Sequence, residues 1–127
     1  PNGYFENKKI VQLNNYLITG YLSRLVYLFP PNTKLINSRY KKKKHEAIAF
    51  ENQFINKYVK DNRFCLTADI WPKKINSLII VLRNPIDIAL SLRKRNKLPL
   101  ILGLRIWRYH ILKLIKSKNK DRRIYIF

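Results

Sequence analysis

Residues 84–116 read NPIDIALSLRKRNKLPLILGLRIWRYHILKLIK, and this stretch decides the fold because it holds two helices with their own start signals. Asn84 offers a side-chain oxygen to the first unpaired amides. Pro85 suits the first helical position, where no backbone donor is needed, and Asp87 lies in the first turn, where the helix dipole favours an acid. This pattern predicts a helix running to about Arg95. Leu98 and Pro99 then restart a second helix, in which Leu100, Leu104, Trp107, Ile111 and Leu114 recur at three- and four-residue steps and share a face. Arg105, Arg108 and Lys116 fall elsewhere on it.

Working upstream, residues 75–82 form a nearly continuous Leu/Ile/Val run bounded by polar residues, which reads as a buried strand. Residues 64–71 are short and irregular. Ala47, Phe50, Phe54 and Tyr58, flanked by Ile55 and Val59, define an amphipathic helix over 45–61, with Glu46 in its first turn and Lys57 and Lys60 towards its end. Ile10, Leu13, Leu17, Tyr21, Leu25 and Leu28 define another over 9–29, stopped by Pro30 and Pro31. Between them, residues 32–44 show no apolar period and end in Lys41, Lys42, Lys43 and Lys44, so they read as an extended basic loop. Downstream, residues 117–127 form a basic tail that closes on Ile124, Tyr125, Ile126 and Phe127, apolar enough to dock on something. The fold class expected is mainly α, with one or at most two short strands. It is a small helical domain with a basic internal loop and a basic C-terminal tail. Neither an internal repeat nor a domain boundary interrupts residues 1–127.

Charge carries the functional reading. Against 27 Lys and Arg stand only 7 Asp and Glu, a net +20. Self-repulsion at that density opposes compaction, so the native state is expected beside a polyanion. With 46% hydrophobic and 13% aromatic residues, the chain is too apolar for a disordered polycation. The charge is also unevenly placed. Residues 32–44 carry six cations, Lys34, Arg39, Lys41, Lys42, Lys43 and Lys44, and no acid. Residues 88–120 carry ten, Arg93, Lys94, Arg95, Lys97, Arg105, Arg108, Lys113, Lys116, Lys118 and Lys120, again without an acid. Arg122 and Arg123 extend this tract into the tail. A lone lysine run is commonly just a solvated loop, but two acid-free tracts in one chain are the footprint of a nucleic-acid binder. Lysines dominate the loop, where a point charge suffices. Arginines occupy the helices, where a planar fork can grip phosphate or stack on a base. Tyr40, inside the basic loop, is the aromatic best placed to stack on an unpaired base, ahead of Tyr109 and Tyr125; Trp107 belongs to the apolar face of its helix.

Other chemistries lack their parts. A single cysteine, Cys65, forms no disulfide framework, and the two histidines, His45 and His110, lie far apart without a second ligand at helical spacing. Glycines at 3, 20 and 103 make no phosphate-binding loop. The seven acids mostly sit at helix starts or beside lysine, so paired carboxylates for proton transfer are not apparent. No catalytic site, metal or cofactor is expected. Two apolar stretches test membrane residence. Gln12, Asn14, Asn15 and Arg24 interrupt residues 10–29, and Arg105, Arg108, His110 and Lys113 interrupt 98–115, so neither reads as a span.

Composition adds a context. Seventeen Lys, 17 Ile and 13 Asn against 4 Ala and 3 Gly mark an AT-rich coding sequence, as in an organelle or an AT-rich protist nucleus. Pro1 fits a chain whose initiator Met has been removed, and with it the expectation that no targeting peptide was needed. The combination of basic loops, short amphipathic helices and a basic C-terminal extension resembles ribosomal proteins, above all those encoded in protist mitochondria. Locally, the run from Arg105 through Trp107 and Arg108 to Lys113, with Lys120, Asp121, Arg122 and Arg123, is similar to the basic loop of the tenth small-subunit ribosomal protein. The rest of the chain does not follow that family: a first helix at the right distance and the closing helix and strand are missing, and the stretch reads as helical. What the general resemblance implies is a structural protein of the mitochondrial matrix ribosome, partnered by rRNA and neighbouring ribosomal proteins. Two rivals are a basic accessory subunit of a mitochondrial inner-membrane complex and a helical DNA-binding nucleoid protein.

Overall fold

In the computed structural model, helix α1 (Lys8–Thr19) opens on Asn7, whose side-chain oxygen accepts from the amides of Lys9 and Ile10 at 3.1 and 3.3 Å. The structure describes residues 7–20, 22, 27–53, 58–71, 78–117 and 123–126, the last four and Leu78 by their backbone. Ile10, Leu13 and Leu17 turn one face of α1 into the core as their spacing requires. The helix stops ten residues before the prolines expected to end it. Gly20 takes the left-handed conformation at φ 61° and donates its N–H to Tyr16 O at 2.7 Å, a glycine C-cap that ends the helical hydrogen-bond ladder.

The expected basic loop at 32–44 is instead helix α2 (Thr33–Lys42), joined through Lys43 to α3 (Lys44–Gln53). Asn32 caps it by accepting from Leu35 N at 3.1 Å. Lys, Arg and Leu are good helix formers and the last turn is basic. A single apolar turn, buried Ile36 with half-buried Tyr40, ties α2 to the core. Of the helix expected over 45–61, α3 covers the first part. Residues 54–57 lie outside the described residues, and 58–60 are not helical.

A short α4 (Phe64–Thr67) leads to Trp71, and strand β1 (Leu78–Val81) lies within the run read as a strand. Then come α5 (Pro85–Asn96), α6 (Leu100–Lys116) and strand β2 (Arg123–Ile126). Among the described residues the architecture is mainly α with one two-stranded sheet, in which β1 and β2 run parallel with Leu78 opposite Arg123 and Val81 opposite Ile126. The apolar end of the tail therefore docks on the chain's own strand. Parallel strands need a crossover, and α5 and α6 form it.

Leu13, Leu17, Ile36, Ala47, Phe50, Ile70 and Trp71 make the main core, with Tyr16, Tyr40 and Phe64 packed against it. The rings of Phe64 and Trp71 meet edge to face at 5.8 Å. Burying each large side chain contributes roughly 1.5–3 kcal/mol. A polar knot runs through this core. Asn14 is fully buried, accepts from Thr67 Oγ1 at 2.9 Å and Trp71 Nε1 at 3.0 Å, and donates to Asp61 Oδ2 at 2.8 Å. Asp61 Oδ1 in turn accepts from Arg63 Nη1 at 2.8 Å. Arg63 Nε reaches Asn15 Oδ1 at 2.8 Å, which also accepts from Tyr27 Oη at 2.6 Å. Each buried polar atom in this chain of contacts has a partner, which is what makes its burial tolerable.

Helices α5 and α6 pack on each other through small residues. Gly103 lies so close to Ala89 that an added Cβ would stand 2.9 Å from Ala89 Cα. Lys113 Nζ reaches Asp69 at 3.2 Å and ties α6 to the segment after α4. No helix among the described residues is long and apolar enough to cross a membrane.

Candidate nucleic-acid interface

The junction of α5 and α6 concentrates positive charge. Helix α5 ends when Lys97 takes the left-handed conformation at φ 58° and donates its N–H to Arg93 O at 3.0 Å. Arg93, Lys94 and Arg95 fill the last turn, where the carbonyl end of the dipole favours cations. Three residues later α6 begins behind Pro99, which has no side chain to cap it, and its first turn carries no acid. The first amides of α6 are thus left for solvent or an anion. Arg93, Lys94 and Lys97 line an open concavity of about 460 Å³ together with Leu98, Pro99 and Leu100. Arg93, Lys94, Arg95 and Lys97 are all exposed. Their one described side-chain hydrogen bond runs from Arg95 Nε to Asn96 Oδ1 at 3.0 Å.

A second group lies on α2 and α3. Lys34, Lys41, Lys42 and Lys44 are exposed, and Lys34 and Lys41, seven residues apart, share a helix face. Helix α2 packs on α1 and α3, while α6 packs on α5 and α4, so the two groups belong to different parts of the fold. Further along α6, Arg105, Arg108 and Lys116 are also exposed.

Four residues expected in the interface have contacts within the chain itself. Arg39 Nη1 donates to Leu17 O and Ile18 O at 3.1 and 2.7 Å, capping the last carbonyls of α1. Tyr40 packs against the core; burial, and then the charge of Glu51, push its hydroxyl pKa up. Its ring is no free stacking platform. Lys43 pairs with Glu46 at 2.7 Å and stands 5.8 Å from the Tyr16 ring centre. Lys113 is held by Asp69. Lys118, Lys120 and Arg122 lie outside the described residues, and Arg123 is described by its backbone in β2.

Sequence reading passed over Lys8, Lys9 and Arg83, which are exposed outside both tracts. Lys8 and Lys9 open α1, where the dipole disfavours cations, and neither α1, α2 nor α6 has an acid in its first turn. That arrangement costs stability in water and is relieved by an external anion. Their signal was available only once the helix start was placed.

Elsewhere, chemistry is muted. Burial pushes the Cys65 thiol up to about 11, so it stays protonated at neutral pH. Burial also lowers the pKa of His110, against a hydrogen bond between its Nδ1 and Ile106 O at 2.7 Å. No cluster of His, Cys, Asp and Glu fit to hold a metal occurs among the described residues. Comparisons with protein families, curated proteins and solved structures find no match to this chain.

Proposed function

We propose that this chain is a structural protein of a mitochondrial ribosome that binds rRNA by neutralising its phosphates. The observation that carries the reading is the α5–α6 junction, where exposed Arg93, Lys94 and Lys97 converge on one concavity beside an uncapped helix start. Exposed Lys34, Lys41, Lys42 and Lys44 supply a second phosphate contact on α2 and α3. Cations of this kind position a protein on a nucleic-acid backbone and read no sequence. Lysines and arginines in A-form grooves answer to shape and charge, which matches a side-chain set with no free aromatic platform at Tyr40. The net charge of +20 is then offset by rRNA, with counterion release contributing to affinity.

Sedimentation of a mitochondrial lysate on sucrose gradients at low and high salt, following this chain by mass spectrometry, tests the reading. Comigration with one ribosomal subunit at moderate salt, abolished by RNase, is the expected result. Retention with membranes or with DNA after RNase digestion overturns it and favours an inner-membrane accessory subunit or a nucleoid protein.

A further inference from the structure

The solvent face of α6 carries a pattern that phosphate binding leaves unexplained. Ile101, Arg105, Arg108, Leu112 and Ile115 follow one another at steps of four, three, four and three residues, so they form one stripe along the helix. It is about 21 Å long at 1.5 Å per residue. All five are exposed, Ile101 by 64%, Leu112 by 39% and Ile115 by 53%. Neither arginine has a described carboxylate partner; the described ion pairs join Glu46, Asp61 and Asp69 to Lys43, Arg63 and Lys113.

Each simple occupant satisfies only part of this stripe. Phosphates would pair with the arginines and leave three large aliphatic side chains in water. A bilayer would cover the aliphatics, but it would draw two guanidinium groups, set between Ile101 and Leu112, into the middle of the inserting face. Interfacial helices keep their cations on the flanks. A second copy of α6 would bring Arg105 and Arg108 against their own images. The complement that satisfies every position is an apolar helix with carboxylates at its centre.

We propose that this stripe docks an acidic amphipathic helix of another protein, with its carboxylates facing Arg105 and Arg108 and its aliphatics covering Ile101, Leu112 and Ile115. Helix-on-helix contact uses the same three- and four-residue periodicity that the stripe displays. The proposal goes beyond the RNA reading and does not depend on it.

The test uses the full chain and a fluorescein-labelled designed helix whose one seam carries Glu at its centre and Leu at either end, read by fluorescence anisotropy. Its control is a peptide of the same composition scrambled so that Leu and Glu share no face. Binding of the ordered peptide alone is expected. The double variant Ile101→Ser, Leu112→Ser should weaken it about tenfold or more while leaving affinity for an RNA hairpin unchanged. Arg105→Glu with Arg108→Glu should abolish peptide binding. Because these side chains are exposed, helical circular dichroism and thermal midpoint should hold, and Ile101→Ser alone serves if the double variant does not fold. Equal binding of the scrambled peptide, or unchanged affinity in the Ser variants, overturns the proposal in favour of unspecific charge attraction. Vesicles of phosphatidylcholine and phosphatidylglycerol that bind through Ile101 and Leu112 while the peptide does not would assign the stripe to lipid. Self-association lost in the Ser variants would assign it to a second copy.

Discussion

Helices α1 and α6 are both amphipathic, yet they treat their apolar residues in opposite ways. Over 12 residues α1 buries Ile10, Leu13, Leu17 and Ile18, and none of its large apolar side chains is exposed. Over 17 residues α6 buries only Gly103 and Leu114 and exposes Ile101, Leu112 and Ile115. Polar groups follow the same division. Around α1 they point inward, as Asn14, Asp61 and Thr67 satisfy one another. Around α6 the arginines stay outside without described partners. The partner of α1 is the rest of its own chain, whereas α6 packs its inner side on α5 and α4 and leaves a partly apolar outer face exposed. Substitutions in the packed surroundings of α1 and on the exposed face of α6 should therefore act differently on stability.

The largest effect should come from Asn14→Ala. It leaves the Trp71 indole N–H buried without a partner, leaves the Thr67 hydroxyl only the longer contact to Arg63 O at 3.2 Å, and strips one hydrogen bond from the Asp61 carboxylate. Unsatisfied buried groups cost about 1–3 kcal/mol each, so a total loss of about 3 kcal/mol or more is expected in urea denaturation. Arg105→Ala in the isolated chain should stay within about 0.5 kcal/mol. Equal losses from the two would erase the contrast between the two helices.

Next in size is the loss of binding when the junction is discharged. Arg93→Ala, Lys94→Ala, Arg95→Ala and Lys97→Asn combine to remove four cations, with Asn chosen at 97 because it tolerates the left-handed backbone there. Each phosphate contact removed should lower the slope of log affinity against log salt by about 1 for a duplex RNA. A slope lower by about 3–4, with the thermal midpoint little changed, places binding in the C-terminal hairpin. An unchanged slope would move the RNA contact to Lys34, Lys41, Lys42 and Lys44.

Gly103→Ala probes the close approach of α6 to α5. In an open helix this change would gain about 1 kcal/mol of helix propensity. Here the new Cβ would meet Ala89 Cα at 2.9 Å and Ala89 Cβ at 3.0 Å, a backbone atom and a methyl fixed to it that cannot swing aside. Overpacking of that kind costs about 1–3 kcal/mol, so net destabilisation is expected in a melting curve. A stabilised variant would mean that α5 and α6 separate easily, and the contrast with α1 would widen.

How much of this was legible in the sequence depended on whether the signal was local. The start of α5 was readable because Asn84, Pro85 and Asp87 act within one turn, and Asn84 does accept from Ile86 N at 2.9 Å. Helix α2 was not, because one apolar turn at Ile36 and Tyr40 looks like a basic loop until α1 and α3 are placed around it. The end of α1 is set by Gly20, which the apolar period continuing to Leu28 conceals. For the site, the cationic tracts were legible as charge, and most of their described members are exposed. Which cations are already paired was not legible. Arg39 serves carbonyls 21 and 22 residues away, and Lys113 serves a carboxylate 44 residues away. Such pairings are products of tertiary packing and leave no trace in spacing.

The smallest effect expected is a pH dependence set by His110, on the inner side of α6. Its pKa is lowered because burial penalises the imidazolium, while the hydrogen bond to Ile106 O partly opposes this. The unfolded chain, with an ordinary histidine near 6.5, then binds a proton before the folded chain does as pH falls. Stability attributable to His110 is fully present above that ordinary value and is lost as pH drops through the lower folded value. Denaturation curves between pH 7.5 and 5 should therefore show a decline that His110→Gln removes, and a loss smaller than that of Gly103→Ala. A decline that persists in His110→Gln would trace to groups other than this imidazole. If His110 shows no contribution, the inner face of α6 is wetter than its burial implies, and the contrast with the dry core around α1 sharpens.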